Sequence, residues 1–336
     1  NIGGNWNSSF GNNTMAVGGS DTVYGLAGND TITAGGIIYG GAGNDTITGA
    51  GSGDVFHIIS GIDSVTDLTT GDSFIVSSGA TLNANNIGGF TATNGTSNAG
   101  TSNLTANNSG VTIDMRLATS GGYKITGGTA ADTFYGGSGQ DTFVINAASD
   151  ATSDTYDGGA NTDTLELSSG SSTFSNNASI VNIENIKANS SGGTIILSGQ
   201  TEGFTITGNT GVDIITGGDG NDTISGGGGN DTFKITSGID TLTDINTLDV
   251  FVVSNGATMN ATGVATFSAT NASSNSGTAN LTAVSTGGTI NMSSVGGSGG
   301  FTLIGSVKND SITGSGNTDV FEIKTDYHTG YARTEY

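Results

Sequence analysis

The sequence predicts an all-β fold in which short strands and tight turns alternate and wind into a long coil. A nine-residue unit recurs along the chain, and two long segments reappear as a block in its second half. The chain has 336 residues, of which 60 are Gly, and it contains neither Pro nor Cys. Self-similarity at a fixed short period is typical of stacked repeats, whose units bury their apolar faces only against one another.

The charge balance and composition exclude several classes of protein. Asp and Glu number 29 against 7 Lys and Arg, which gives a net charge of −22 and argues against nucleic acid as a partner. The absence of Cys excludes disulfides and thiolate metal sites. No apolar run is long enough to predict a membrane span. The chain begins at Asn1 without a signal-peptide pattern, so we expect a processed product or a fragment.

The repeating unit is clearest in residues 208–234, which read GNTGVDIIT, GGDGNDTIS and GGGGNDTFK. Each unit has Asp at its sixth position and a large apolar residue at its eighth. The Gly-rich first part suits turns with positive φ and disfavours helix. The last three residues are often β-branched, which favours a short strand whose middle side chain points inward.

Blocks of such units alternate with segments rich in Ser, Thr and Asn. The predicted calcium-type β-roll blocks are residues 1–75 (with an N-terminal segment), 121–166, 204–252 and 300–336, and the predicted β inserts are 76–120, 167–203 and 253–299. The tail 324–336 matches no unit. Residues 61–84 and 90–106 reappear with few changes as 238–261 and 267–283, which indicates a larger duplication.

If two units complete one turn of the coil, the Asp side chains of every second unit stack on one another. Five pairs have this spacing: Asp45/Asp63, Asp54/Asp72, Asp213/Asp231, Asp222/Asp240 and Asp231/Asp249. Asp21/Asp45 and Asp30/Asp54 have the same spacing if a six-residue interruption at 34–39 is not counted. Asp132/Asp154 and Asp141/Asp163 have it if a four-residue slip is not counted. We interpret both interruptions as bulges that leave the stacking phase intact.

Stacked carboxylates on neighbouring strands, about 5 Å apart, repel each other unless a cation lies between them. Aspartate oxygens and turn carbonyls form a flexible all-oxygen cage, which suits Ca²⁺ better than Zn²⁺ or Mg²⁺. Multiple Ca²⁺ ions are therefore the predicted cofactor, and they would offset most of the net charge of −22. The predicted ligands are Asp21, Asp30, Asp45, Asp54, Asp63, Asp72, Asp132, Asp141, Asp154, Asp163, Asp213, Asp222, Asp231, Asp240, Asp249, Asp310 and Asp319.

The pattern G-G-x-G-x-D-x-U-x, as in GGDGNDTIS and GGAGNDTIT, resembles the RTX (repeats-in-toxin, hemolysin-type) calcium-binding nonapeptide repeat, especially that of bacterial surface-layer RTX proteins. The resemblance covers roughly half of the chain. It implies a right-handed parallel β-roll or β-helix with Ca²⁺ in the turns, an elongated molecule, type I secretion, and folding outside the cell. The alternative is a calcium-free solenoid whose aspartates only stabilise turns.

Three units depart from the pattern at the sixth position, where they carry Tyr123, Phe204 and Phe301. Each keeps an apolar residue two positions later and stands immediately before a block with aspartates. We interpret these residues as apolar caps between insert and β-roll. Ordinary strand residues that share the phase by chance are the alternative interpretation.

No catalytic constellation is visible, so we expect no enzyme. The G-x-S-x-G match at 296–300 is expected by chance in a chain this rich in Gly. The hypothesis is a secreted calcium-binding structural protein of the bacterial cell surface that self-associates into a surface layer or filament, with a cell-surface polysaccharide as a second candidate partner. An RTX adhesin and the C-terminal calcium-binding region of a type I-secreted exoenzyme or toxin are the alternatives.

Overall fold

Parallel strands make up almost all regular structure in the computed structural model, which describes residues 5–146, 149–168, 170–174, 179–188 and 191–324. The described residues form turns of a parallel β-solenoid, which confirms the predicted all-β fold. The one helix in these ranges, α1, is Asp150–Ser153, so no described helix could cross a membrane. Most of the tail that matched no unit, residues 325–336, lies outside the described ranges.

The first of two units contains the described residues of 1–166 and 178–183 and has three ladders of parallel strands. Ladder A comprises the first halves of β2 (Thr14–Tyr24) and β3 (Thr31–Tyr39), then β4 (Thr46–Thr48), β6 (Ile62–Val65), β8 (Thr81–Ile87), β11 (Thr101–Ala106), β13 (Lys124–Thr126), β15 (Thr142–Ile145) and β17 (Thr164–Leu167). Ladder B comprises β1 (Asn5–Asn7), the second halves of β2 and β3, β5 (Val55–Ile58), β7 (Ser73–Val76) and β10 (Ser97–Asn98). Ladder C comprises β9 (Phe90–Thr91), β12 (Thr112–Asp114), β14 (Thr133–Tyr135), β16 (Thr155–Asp157) and β19 (Ile180–Val181).

The second unit contains the described residues of 167–177 and those from Glu184 onward, and it has the same three kinds of ladder. Its ladder A comprises β20 (Asn185–Lys187), β22 (Thr205–Asn209), β24 (Thr223–Gly227), β26 (Ile239–Leu242), β28 (Thr258–Val264), β31 (Thr278–Ala283), β34 (Phe301–Ile304) and β36 (Val320–Glu322). Its ladder B comprises β18 (Ser171–Thr173), β21 (Thr194–Ile196), β23 (Ile214–Thr216), β25 (Thr232–Ile235), β27 (Val250–Val253), β30 (Ser274–Asn275) and β33 (Gly296–Gly297). Its ladder C comprises β29 (Thr266–Ser268), β32 (Thr289–Asn291) and β35 (Ser311–Thr313).

The core of each unit is a column of side chains from the eighth position of the repeat. Ile32, Ile47 and Phe233 are fully buried, whereas the flanking Thr residues face outward, because successive side chains of a strand point to opposite faces. The column is incomplete at the last turn of the second unit, where Phe321 is 53% exposed.

The six-residue interruption at 34–39 is not a bulge, and that interpretation was wrong. It forms the second half of β3, in which Ile37–Tyr39 pairs with Val55–His57 of ladder B, while Thr31–Thr33 pairs with ladder A. One continuous strand therefore runs through both ladders, and only Ala34, Gly35 and Gly36, the last at φ +98°, form the corner between its halves. The four-residue slip accommodates α1, and the strands on either side of it remain in register.

The segments rich in Ser, Thr and Asn continue the same ladders. Their turns are one to six residues longer than two repeat units, as in the pairing of Ile62 with Thr81 and of Tyr156 with Ile180. The duplicated segments also repeat in detail: Asn103 donates to Asn83 and Asn280 donates to Asn260, both at 2.8 Å.

Candidate metal sites

The candidate aspartates stand at or next to the corner where a turn ends and a strand begins, except Asp21, which lies inside β2 in its second half. All except Asp310 and Asp319 are buried. Their Oδ1 atoms characteristically accept a backbone N–H from the preceding turn of the coil, as in the bond from the Asp45 N–H to Oδ1 of Asp63 at 2.8 Å. Each such carboxylate therefore links its own turn of the coil to the preceding turn.

Seven of the predicted pairs are joined by this bond. They are Asp45/Asp63, Asp54/Asp72, Asp132/Asp154, Asp141/Asp163, Asp213/Asp231, Asp222/Asp240 and Asp231/Asp249. The donor and acceptor lie between 2.6 and 3.0 Å apart in every case. The two pairs that span the four-residue slip are included, because α1 lies between strands without moving them out of register.

The two predicted pairs that span the interruption at 34–39, Asp21/Asp45 and Asp30/Asp54, are wrong. Asp45 instead accepts the N–H of Asp30 at 2.8 Å, and Asp54 accepts that of Gly36 at 2.6 Å. Because residues 34–39 form a half-turn of their own, Asp21 and Asp45 precede strands of different ladders. Asp21 also accepts a hydrogen bond from the indole of Trp6 at 3.1 Å.

Five candidate aspartates have a buried Oδ2 atom that accepts no hydrogen bond from the described residues. They are Asp30, Asp45, Asp63, Asp222 and Asp240. All five stand at the start of ladder A strands. A buried carboxylate oxygen without a partner costs several kcal/mol unless the group is neutralised or coordinates a cation. These five atoms are the strongest structural indication that the turns bind cations.

The unpartnered oxygens converge on spaces that only glycine leaves open. A Cβ on Gly40 would stand 2.5 Å from Oδ2 of Asp45 and 3.3 Å from Oδ2 of Asp63. A Cβ on Gly25 would stand 2.8 Å from Oδ2 of Asp30 and would also meet the carbonyl oxygen of Gly40 in the next turn. Carboxylate and carbonyl oxygens from two turns thus surround the same point.

Burial raises the pKa of several of these carboxyls well above that of a free aspartate. The pKa of Asp63 and that of Asp240 rise to about 7, and repulsion from the aspartate one turn earlier adds to the effect of burial. Burial likewise raises the pKa of Asp154, Asp222 and Asp231 to about 6. Without a cation, these groups take up protons near neutral pH.

The donor set fits Ca²⁺. In the part of the chain that the structure describes, no three Asp, Glu or His side chains converge on one point, so each ion would draw most of its ligands from backbone carbonyls and water. Six to eight oxygen ligands in a flexible arrangement are what Ca²⁺ accepts, whereas Zn²⁺ prefers nitrogen and sulfur. When bound, Ca²⁺ would supply charge neutralisation and hold neighbouring turns together.

Eight other candidate carboxylates also stabilise their own turns. Their Oδ2 atoms accept an N–H from three or four residues earlier: Asp54, Asp72, Asp132, Asp141, Asp213, Asp249, Asp310 and Asp319. These bonds agree with a turn-stabilising role for aspartate. They do not account for the five unpartnered oxygens, which a calcium-free solenoid would leave unsatisfied.

The three aromatic residues at the sixth position are in phase with the aspartates. Each is 2% exposed, and its N–H donates to the Oδ1 of an aspartate one turn later. The bonds join Tyr123 to Asp141, Phe204 to Asp222 and Phe301 to Asp319. They therefore occupy the aspartate position with an apolar side chain, as the interpretation as caps requires.

The sequence analysis did not identify four residues at turn corners. Thr96 and Ser273, both fully buried, stand in the inserts, and Phe251 donates its N–H to the Ser273 hydroxyl at 3.4 Å. Asp67 and Asp244 stand at the first position of a unit. The signal that could have identified them is that they occupy equivalent places in the two copies of the duplication.

Comparison with protein-family models matches five segments of the chain to the RTX calcium-binding nonapeptide repeat (4 copies). The segments are residues 10–36, 37–57, 124–145, 205–242 and 295–322. Repeats of this family bind Ca²⁺ in multiple turns. The candidates Asp63, Asp72, Asp154, Asp163 and Asp249 lie outside the matched segments. A comparison with curated proteins gave no match.

Proposed function

From the RTX calcium-binding nonapeptide repeats that the chain carries, we propose that it is a secreted structural protein whose calcium-loaded units assemble into a surface layer or filament. Proteins with such repeats are typically secreted. Extracellular calcium modules bind with dissociation constants on the order of 10⁻⁴–10⁻³ M, so the turns would fill only outside the cell. The proposed location is the bacterial cell surface.

The observation that carries the assembly proposal is an apolar residue exposed at the same place in both copies of the duplication. Ile62 is 53% exposed and Ile239 is 54% exposed, at the first position of β6 and of β26. The N–H of Ile62 is held by the Asn44 side chain at 2.9 Å, and that of Ile239 by the Asn221 side chain at 2.8 Å. The two isoleucines therefore have the same exposure and the same backbone hydrogen bond in the two copies.

A chain with two equivalent apolar patches can bind two neighbours at once. That is the minimum for an assembly that continues without closing, such as a filament or a lattice. A single exposed isoleucine is ordinary on a protein surface. Its recurrence at the same position in both copies of the duplication is what supports contact with another copy of the chain.

The test compares the full chain with Ile62→Ser, Ile239→Ser and the double variant in millimolar Ca²⁺. We expect the wild type to form large assemblies by sedimentation velocity and negative-stain electron microscopy, the single variants to stop at small oligomers, and the double variant to remain monomeric. Ile59→Ser is the matched control, because Ile59 is 44% exposed but Thr236 stands at the duplicated position. A wild type that stays monomeric at high concentration contradicts the proposal.

A further inference from the structure

Asp67 and Asp244 stand where the repeat places a turn glycine, and each reaches back to the preceding turn. The N–H of Gly49 donates to Oδ1 of Asp67 at 2.7 Å, and the N–H of Gly226 donates to Oδ1 of Asp244 at 3.0 Å. The two aspartates occupy equivalent places in the duplication, so both copies retain the same contact. Neither lies in a segment matched by the family model.

In the regular turns, a backbone carbonyl faces the aspartate across the turn glycine. At Gly208, for example, a Cβ would meet Oδ2 of Asp213 at 2.7 Å and the carbonyl oxygen of Gly226. At the end of the block the next turn begins with Asp67 rather than Gly. There, a Cβ on Gly49 would stand 2.5 Å from Oδ2 of Asp54 and 3.1 Å from Oδ2 of Asp67. At Gly49, a carboxylate oxygen of Asp67 therefore lies near the glycine, where the regular turns have a backbone carbonyl oxygen.

The second copy places a second pair of carboxylates in the same arrangement. Asp231 is 1% exposed, and its Oδ2 points at the open side of Gly226. Its Oδ1 accepts the N–H of Asp213, whereas Oδ2 accepts no hydrogen bond within the described ranges. The Asp244 carboxylate is held rigidly beside it, by the Ser225 hydroxyl at 2.6 Å and the Gly227 N–H at 2.7 Å.

No basic side chain of the described residues forms an ion pair with these paired carboxylates. The ion pairs among the described residues are Arg116–Asp114 and Lys124–Glu166, and neither involves the two aspartates. Burial raises the pKa of Asp67, and repulsion from Asp72 and Asp54 adds to it. Two carboxylates that share one glycine-lined space are stable together only with a proton or a cation between them.

We infer that Asp67 and Asp244 are calcium ligands, and that each completes the last ion site of its ladder B row, Asp67 with Asp54 and Asp244 with Asp231. The inference rests on calcium binding by the turns and not on assembly. Replacing a neutral carbonyl with a carboxylate increases the charge of the site, and charge is one of the main determinants of calcium affinity. These two sites bind Ca²⁺ more tightly than the regular turns.

The test measures Ca²⁺ binding to the full chain at pH 8 by equilibrium dialysis and calorimetry, at concentrations too low for assembly. Asp67→Asn and Asp244→Asn should each remove one bound ion or weaken one tight site at least 10-fold. The double variant should lose two ions or have two weakened sites. Asp219→Asn is the matched control, because it removes the same charge from an exposed position of the same kind of turn. Variants that fold in Ca²⁺ and bind as many ions as tightly as the wild type overturn the inference.

Crystals of the wild type grown in Ca²⁺ provide a readout that does not depend on how well the variants fold. An anomalous peak within about 2.6 Å of a carboxylate oxygen of Asp67 and of Asp244 supports the inference, since that is the range of calcium–oxygen bonds. Peaks that leave both aspartates uncoordinated overturn it. A wild type that assembles in no condition but still binds these ions would refute the proposed function alone.

Discussion

Lowering the pH should stabilise the metal-free chain in the way that calcium stabilises the loaded one. The perturbation is removal of Ca²⁺ followed by a shift from pH 8 to pH 4.5. The affected groups are the carboxyls whose pKa burial raises to about 6 or 7, among them Asp63 and Asp240. In the unfolded chain these groups have the ordinary value of 3.8, so between about pH 4 and pH 7 the folded state binds more protons. Stability therefore rises as the pH falls through this window.

The magnitude follows from the number of protons taken up. Each carboxyl that is protonated only in the folded state contributes at most about 1.4 kcal/mol per pH unit, and less where solvent reaches it. Asp63 and Asp240 together thus contribute up to about 3 kcal/mol per pH unit below their shared pKa of about 7. That is a substantial part of the roughly 5–15 kcal/mol that stabilises an ordinary domain.

The assay is far-UV circular dichroism of calcium-free protein, with guanidinium titrations at several pH values. We expect the β-type spectrum to be lost at pH 8 and to return as the pH approaches 4.5. The double variant Asp63→Asn and Asp240→Asn is neutral at these two positions at every pH. Its free energy of unfolding should therefore change less steeply with pH, by the equivalent of up to two protons. A metal-free wild type with equal stability at pH 5 and pH 8 would refute the reasoning.

Three further outcomes are expected. EGTA at pH 8 should abolish the β-type spectrum of the wild type, and a spectrum that survives chelation would contradict the metal assignment. Gly40→Ala should raise the Ca²⁺ midpoint of folding several-fold, because its Cβ would stand 2.5 Å from Oδ2 of Asp45, whereas Gly18→Ala, which faces open space, should leave the midpoint unchanged. Phe233→Ala removes a fully buried ring and should cost about 3–5 kcal/mol in calcium-saturated denaturant titrations, against less than about 0.5 kcal/mol for Phe10→Ala at an 84% exposed site; equal losses would show that the core is not where the structure places it.

The nine-residue unit was predictable because its determinants are local. Gly-rich turns and short β-branched strands specify turn and strand independently of distant residues. The inward eighth position then follows from strand geometry, as the burial of Ile47 and Phe233 shows. The pairing of aspartates from every second unit followed from assuming two units per turn, and the bonds from Asp213 to Asp231 and from Asp222 to Asp240 confirm it.

Residues 34–39 could not be placed by counting. A six-residue bulge and a six-residue half-turn preserve the same local pattern and differ only in which ladder the next aspartate joins. The apolar run of Ile37, Ile38 and Tyr39 was the one available signal: Ile38 is fully buried, and the Tyr39 ring stacks between Tyr24 and His57. A strand, not a bulge, has that alternation.

The distribution of unpartnered oxygens was also beyond the sequence. Aspartates before ladder A and ladder B strands share the same motif, yet Asp222 lacks a partner for Oδ2 while Asp213 accepts an N–H there from Asn209 at 3.1 Å. The difference depends on how each turn bends toward its own carboxylate. Residue identity alone does not determine that bend.

The central claim, that aspartates one turn apart share a buried calcium ion, is tested most directly at Asp132 and Asp154. A Cβ on Gly127 would stand 3.6 Å from Oδ2 of Asp132 and 3.3 Å from Oδ2 of Asp154, so both oxygens face the same space. The measurement is the number of Ca²⁺ ions bound per chain by Asp132→Asn, Asp154→Asn and the double variant, each folded in saturating Ca²⁺. If the ion is shared, each single variant loses one ion and the double variant also loses only one. A double variant that loses two ions, or variants that lose none, would contradict the claim.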